Sequence, residues 1–106
     1  MKDEYLESLL NIIKLKKNDD PKISYTALLH DQGVNKILEK IKEETAEIVV
    51  AAESEGRKEL IHEIADLWFH CLVLLSEKDL NVDDITNELK RRQGTSGIEE
   101  KNNRKN

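Results

Sequence analysis

Apolar residues recur at intervals of three and four through most of this chain, which is the spacing of amphipathic α-helices. In the first such segment they are Tyr5, Leu6, Leu9, Leu10, Ile12 and Ile13. The same spacing predicts helices over residues 2–17, 25–31, 34–55 and 57–78, and a last one from an N-cap at Asn81 to about residue 92. The pattern therefore predicts an all-α protein.

Residues that favour helix ends stand between these segments. Ser24 is placed to cap the short second helix, and Gly33 closes it. Gly56 separates the two long helices, and a turn this tight makes them an antiparallel hairpin. We expect a small helical bundle built on this hairpin, in one domain over residues 1–93, followed by a disordered polar tail over 94–106.

Composition agrees with a helical protein, because the 106 residues include one proline and four glycines. A chain this short buries a modest core, so we expect dimerisation to complete the bundle. The net charge is -5 and the basic residues are scattered, which argues against a nucleic-acid partner. No apolar run approaches the ~20 residues of a membrane span, and the acidic N-terminus is unlike a signal peptide. Cys71 lies in an apolar run and is interpreted as a buried thiol, so we expect a cytoplasmic protein.

The fourth predicted helix is apolar around most of its circumference and leaves one narrow polar stripe. The stripe consists of Glu59, Glu63, Asp66 and His70. A helix this apolar is expected to be buried, and burying unpaired carboxylates is very costly. These acids must therefore face water, basic partners or a cation.

A matching pair of acids lies on the third predicted helix. Glu44 and Glu47 have i, i+3 spacing, as do Glu63 and Asp66, so each pair shares one helix face. Two facing pairs across the hairpin would form a cage of oxygen ligands suited to Mg²⁺ or Mn²⁺. A single such pair is more often a solvated face or a salt-bridge partner, so the hypothesis depends on the two pairs in tandem.

The acid pattern Glu43-Glu44-x-x-Glu47 followed by Glu63-x-x-Asp66 resembles the all-α nucleotide pyrophosphohydrolases of the MazG-like superfamily. Four further segments narrow the resemblance: SYTALL, NKILEKIKEETAEIVVAA, ELIHEIADLWFHCLVLL and DDITNELKRR. They are similar to the phosphoribosyl-ATP pyrophosphatase family of histidine biosynthesis, in register over most of the chain.

The resemblance implies hydrolysis of N1-(5-phosphoribosyl)-ATP to phosphoribosyl-AMP and pyrophosphate, the second step of histidine biosynthesis. It implies Mg²⁺ as the cofactor, with Mn²⁺ able to substitute, and a homodimer or higher homo-oligomer. No cyclohydrolase segment precedes the domain, so we expect the stand-alone form of the enzyme.

Carried over by position, the resemblance implies four metal ligands: Glu44, Glu47, Glu63 and Asp66. Glu44 or Glu47 would also orient the attacking water, which makes these two the candidate catalytic residues. Lys42 and His62 depart from the family, which often has a glycine and an aromatic residue there. Neither departure falls on the four acids.

Further residues are candidates for supporting the acids or contacting the substrate: Glu43, Lys36, Lys40 and His70. Lys40 can reach a phosphate, although its i, i+4 spacing to Glu44 also fits an ordinary ion pair. His70 can hydrogen-bond a ligand carboxylate or be a satisfied core histidine. Tyr25 and its neighbours in the SYT segment can contact ribose or phosphate, while Ser24 is first interpreted as a helix cap.

Two other functions stay open on the sequence alone. A house-cleaning pyrophosphatase of the same superfamily would hydrolyse free (d)NTPs, so a substrate panel separates it from the first function. A non-catalytic helical dimerisation module would use its acids only to solvate one face. Substitution of the acids would then change neither an activity nor a response to metal.

Overall fold

A computed structural model describes residues 4–94 and 97–105 and confirms the all-α class. The helices of this described part are α1 (Glu4–Lys16), α2 (Tyr25–Gln32), α3 (Val34–Ser54), α4 (Arg57–Glu77), α5 (Val82–Arg92) and α6 (Gly97–Lys105). Helices α2 to α5 begin and end within one residue of the predicted bounds, and so does the end of α1. The predicted start of α1 at residue 2 lies outside the described residues. The apolar periodicity and the helix-end residues therefore predicted these elements well.

The α3–α4 hairpin is the framework of the fold. Only Glu55 and Gly56 separate the two helices, and they pack on each other more extensively than any other pair. A connection this short forces the helices to run antiparallel. Helix α1 packs on α4, while α2 packs on both α3 and α4. The first five helices each contribute to a core of Leu10, Ile13, Leu29, Ile37, Leu72, Val73 and Val82.

Local hydrogen bonds end the helices where the sequence predicts. The Ser24 hydroxyl accepts a hydrogen bond from the Ala27 amide at 3.1 Å, which confirms it as the cap of α2. At the start of α5, the Asn81 amide donates to Asp84 Oδ2 at 2.8 Å. Gly33 alone connects α2 to α3 and has φ 92°, a conformation that side-chain-bearing residues rarely adopt.

A buried histidine ties α2 to α4. His30 donates its Nδ1 hydrogen to the Thr26 carbonyl at 2.9 Å, because a carbonyl can only accept. Its Nε2 therefore accepts from the Ser76 hydroxyl, 3.0 Å away. All three side chains are buried, so the polar groups are satisfied within the protein and α2 is fixed against the hairpin.

The outer side of α4 is exposed, which corrects one expectation. Cys71 was expected in the core but is exposed, and the Trp68 side chain is 56% exposed. Leu72 and Val73 occupy the side covered by the other helices, so Cys71 points outward. No helix in the described part of the chain is both long and apolar enough to cross a membrane.

The segment 94–106, for which the sequence predicts a disordered tail, contains the short helix α6. Apart from Ile98 its residues are polar or glycine, and the Ile98 side chain is exposed. Residues 95, 96 and 106 of the tail lie outside the described residues. The domain boundary at residue 93 stays a prediction.

Candidate active site

The hairpin brings three of the predicted acids together. Glu47 lies eight residues before Glu55, and Glu63 lies seven residues after Gly56, so they stand at similar heights on the two helices. Glu44 lies one turn before Glu47 on the same face. One carboxylate oxygen from each of Glu44, Glu47 and Glu63 can be chosen so that all three lie within 4.8 Å of one another. We call these three residues the acid triad.

Glu44 is the buried member of the acid triad. Its side chain is 5% exposed, and its Oε2 atom has no hydrogen-bond partner among the residues that the structure describes. A buried carboxylate oxygen without a partner is costly, so such an atom calls for an explanation. A divalent cation with oxygen ligands would satisfy it, and the two neighbouring carboxylates complete a suitable donor set.

Glu47 and Glu63 depend on each other for their charge state. The hydrogen bond with Glu47 raises the pKa of Glu63 to about 7, and burial and repulsion by the Glu47 and Glu44 charges add to the shift. The same hydrogen bond with Glu63, followed by that with Glu44, lowers the pKa of Glu47. Glu63 therefore keeps its proton to a higher pH than Glu47 does. A cation that displaced a proton from Glu63 would relieve the repulsion between the two acids.

Burial is the first cause of the shift at Glu44. Loss of water raises the pKa of this carboxyl group, and the hydrogen bond with Glu47 and the charges of Glu47 and Asp66 add to it. Lys40 opposes the shift, because its positive charge favours the ionised form. The carboxyl groups thus depend on one another for their charge state, which is typical of a functional site.

Asp66 belongs to a second group that overlaps the acid triad. His62, Glu63 and Asp66 also offer one ligand atom each within 4.8 Å of one another. His62 Nε2 lies 3.3 Å from Asp66 Oδ2 and 3.7 Å from Glu63 Oε1. In the sequence, His62 stands out only as a departure from the family. Its i, i+4 spacing to Asp66 was the signal that could have identified it.

His70 hydrogen-bonds to residues next to the acid triad and belongs to neither group of possible metal ligands in the described chain. Its Nδ1 donates to the Asp66 carbonyl at 2.7 Å, so its Nε2 accepts from the Tyr25 hydroxyl at 2.9 Å. Tyr25 also contacts the Phe69 ring, with the centroids 6.2 Å apart. Burial raises the pKa of Tyr25, and the charges of Lys40 and Glu44 act on it, which places the phenol beside the acids.

The other residues proposed from the sequence lie at different distances from the acids. Lys40 Nζ lies 3.3 Å from Glu43 Oε1, so Lys40 pairs with Glu43 instead of Glu44. The charge of Lys40 nevertheless acts on Glu44 and Glu47. Lys36 Nζ lies 3.5 Å from Glu39 Oε1, one turn further along α3 from the acids. Of the two lysines, Lys40 is therefore the one placed beside the acid triad.

A cleft of about 390 Å³ opens beside the acid triad, toward the turn of the hairpin. Its lining consists of Glu47, Val50, Glu55, Glu59 and Glu63. Four carboxyl groups around one cleft repel a polyphosphate, so an anionic substrate can approach only if cations first neutralise them. The arrangement thus fits chemistry on phosphate groups in the presence of divalent metal.

Comparison with known proteins gives one consistent result. Residues 6–93 match the family described as phosphoribosyl-ATP pyrophosphohydrolase. The chain is 47% identical over 104 residues to a phosphoribosyl-ATP pyrophosphatase of Vesicomyosocius okutanii, covering 98% of this chain and 99% of the relative. It is 45% identical over 108 residues to the protein of the same name in Hydrogenovibrio crunogenus, covering 98% and 96%. In Nitrosospira multiformis the corresponding values are 48% over 103 residues, 96% and 84%.

Proposed function

Because the chain belongs to the phosphoribosyl-ATP pyrophosphohydrolase family, we propose that its acid triad and Asp66 hold the divalent metal with which it hydrolyses its substrate. The protein is a hydrolase that converts N1-(5-phosphoribosyl)-ATP to phosphoribosyl-AMP and pyrophosphate, a step of histidine biosynthesis. We propose Mg²⁺ as the metal, with Mn²⁺ able to substitute, and the cytoplasm as the place of action.

The observation that carries the metal proposal is the unpartnered Oε2 of Glu44. This atom is buried, and it belongs to a side chain that reaches within 4.8 Å of the carboxyl oxygens of Glu47 and Glu63. A helix that only needed to solvate its surface would not bury an acid without a partner. The donor set contains oxygen atoms only, which is the set that Mg²⁺ prefers.

The chain's own residues divide the work of hydrolysis between them. Glu47 is exposed and lines the cleft, so it is the acid that a water molecule from solvent can reach. Its pKa is lowered, so it is ionised at neutral pH and can accept the proton of the attacking water. We therefore assign the orientation of that water to Glu47 and the anchoring of metal to buried Glu44. A bound divalent cation supplies neutralisation of the phosphate oxygens and of the departing pyrophosphate.

Two side chains next to the acids are suited to contact the substrate. The Lys40 ammonium group is held by Glu43 on one side and can bind a phosphate oxygen on the other. The Tyr25 hydroxyl donates to His70, so its oxygen is free to accept from a ribose hydroxyl or a water molecule. Both residues lie close enough to the acids to affect their charge balance.

We also propose that the active form is a homodimer. Leu38 and Val49 on α3 and Ile61 and Trp68 on α4 are exposed apolar side chains on the two helices that carry the acids. A monomer that left these two helix faces in water would expose a large apolar patch next to its active site. A second copy of the chain packed on this surface would bury them as a larger helical bundle.

The test is pyrophosphate release from phosphoribosyl-ATP, with and without Mg²⁺, beside ATP and a panel of dNTPs. We expect release to require Mg²⁺ and to prefer phosphoribosyl-ATP. Release from dNTPs instead would make the protein a house-cleaning pyrophosphatase that uses the same site. Release that persists in the presence of a metal chelator would contradict the metal proposal.

A matched pair of variants separates the site from the rest of α3. Glu47→Gln should lower kcat by a factor of about 10²–10⁴, the range for loss of a general base. Glu53→Gln removes an exposed carboxylate from the same helix and should leave kcat unchanged. Equal rates for the two variants would contradict the role of Glu47.

A further inference from the structure

The two groups of possible ligands in this site differ in chemistry. The acid triad offers oxygen atoms only, whereas the second group offers the imidazole nitrogen of His62 with the carboxylates of Glu63 and Asp66. Glu63 belongs to both groups, so a cation in the second position would be a neighbour of one in the first. Glu63 and Asp66 are among the four acids implied by the family resemblance, so the new member of this second position is His62.

We propose that His62, Glu63 and Asp66 form a second cation position, selective for metals that accept nitrogen ligands, such as Zn²⁺, Co²⁺ and Mn²⁺. The inference rests on the metal-dependent function proposed above and adds His62 to the four acids. Mg²⁺ prefers oxygen and rarely takes an imidazole, whereas first-row transition metals and Zn²⁺ bind imidazole well. The position therefore sets which metal this enzyme takes from a mixture.

The distances suit a single ion. Two ligand atoms that each lie about 2.1 Å from one metal are themselves about 3.0–3.5 Å apart in octahedral or tetrahedral geometry. His62 Nε2 is 3.3 Å from Asp66 Oδ2 and 3.7 Å from Glu63 Oε1. Small side-chain movements would bring all three atoms onto one ion. The His62 side chain is 67% exposed, so water and phosphate oxygens can complete the coordination.

A second observation links this position to a cation. The buried and unpartnered Oε2 of Glu44 belongs to the adjoining acid triad, and the charge of Asp66 acts on Glu44. The second position thus adjoins a buried carboxylate oxygen that has no hydrogen-bond partner among the described residues. The opposing interpretation is an ordinary i, i+4 ion pair between a protonated His62 and Asp66, which predicts no preference among metals.

The inference can be tested by spectroscopy because His62 is the histidine whose ring nitrogens are available to a metal ion. The chain has three histidines. His30 and His70 are buried, and both ring nitrogens of each are already hydrogen-bonded within the protein. Any imidazole nitrogen found on a bound metal ion therefore belongs to His62.

The experiment uses the metal-free full chain and three titrants: Mg²⁺, Mn²⁺ and Zn²⁺. Calorimetry should show that His62→Phe, which keeps a ring but removes the nitrogen, weakens Zn²⁺ binding by about tenfold or more. Mg²⁺ binding should change less than about twofold, because its oxygen ligands remain. Lys58→Phe places the same new ring one turn earlier on α4 and should leave both affinities unchanged.

Pulsed electron paramagnetic resonance of the Mn²⁺-loaded wild-type chain gives a readout that needs no variant. We expect a coupling between the Mn²⁺ electron spin and one ¹⁴N nucleus. Absence of this coupling, or equal Zn²⁺ affinities for wild type and a folded His62→Phe, would overturn the role of His62. If Mg²⁺-dependent hydrolysis persisted in that case, only this inference would fail. A wild-type chain that bound none of the three metals would refute the proposed function itself.

Discussion

Glu63 connects the protonation of the site to the stability of the fold. Its pKa is raised from 4.5 to about 7, so the folded chain retains a proton that the unfolded chain releases near pH 4.5. Stability falls with rising pH wherever the folded state binds more protons. The metal-free protein should therefore lose thermal stability between about pH 4.5 and pH 7. Glu47 acts outside this window, because its lowered pKa contributes stability that is lost only below pH 4.5.

Thermal melts of the metal-free chain across this pH range test the prediction. Glu63→Gln should make the dependence less steep, because the amide carries no titrating proton; Glu44, whose pKa burial also raises, accounts for the dependence that remains. Glu59→Gln, which lines the same cleft one turn away, should keep the wild-type slope. The prediction fails if the Glu63→Gln and wild-type slopes are the same. Metal affinity should rise over the same window, since a cation must displace the proton.

Tyr25 stabilises the site through a hydrogen bond between residues 45 positions apart. Tyr25→Phe removes the hydroxyl that donates to His70 and leaves a buried ring nitrogen without a partner. Such a loss costs about 1–3 kcal/mol of unfolding free energy. Urea denaturation measures it, and Tyr5→Phe on the exposed surface of α1 should stay within about 0.5 kcal/mol of wild type. An unaltered midpoint of urea denaturation for Tyr25→Phe would show that the Tyr25 hydroxyl does not stabilise the fold.

Sequence spacing predicted the acids but not all their neighbours. The i, i+3 pairs Glu44–Glu47 and Glu63–Asp66 follow from helix geometry within one element. The contact between Tyr25 and His70 depends on how α2 lies on α4, which no local periodicity encodes. The buried position of Glu44 depends likewise on the packing of α3 against α4.

At the scale of elements, one glycine controls how α2 sits on the hairpin. Gly33 is the single residue between α2 and α3, and its φ is 92°. Gly33→Ala should lower the unfolding free energy by about 1–3 kcal/mol, because a side-chain-bearing residue is strained in this region. Gly56→Ala is the matched control, since Gly56 has φ -84°. Apart from the adjoining residues in the chain, a Cβ atom at either position would meet no atom of the described residues within 4 Å, so only backbone strain separates the two variants.

Equilibrium denaturation gives the comparison directly. If the Gly33→Ala protein were as stable as Gly56→Ala, the connection between α2 and α3 could adjust its backbone to the new side chain without strain. We also expect Gly33→Ala to weaken activity, because α2 carries Tyr25 to the acids.

The helix bounds could be predicted from the sequence because caps and apolar spacing are local. The exposure of Cys71 could not be predicted, because an apolar run does not reveal which side of α4 is covered.

The whole molecule is more extended than a compact monomer of its length. Its radius of gyration is 16.0 Å, whereas about 13 Å is expected for a compact domain of this size. The exposed apolar side chains of α3 and α4 fit the same picture, since a lone hairpin has no third layer on that side. The radius of gyration includes the tail helix α6, which is not among the closely packed helix pairs of the described chain. The exposed apolar side chains are therefore the feature that supports the proposed homodimer, in which the second copy supplies the missing layer.

Trp68 tests that dimer because it is a large apolar side chain exposed on α4. Trp68→Glu would place a charge where the two copies pack, so sedimentation at micromolar concentration should show a dimeric wild type and a monomeric variant. Leu15→Glu introduces the same charge at a still more exposed apolar position on α1 and should leave the dimer intact. A monomeric wild-type protein with full activity would contradict the dimer. If Trp68→Glu lost both dimerisation and activity, the acids of the hairpin would need the second copy to hold their geometry.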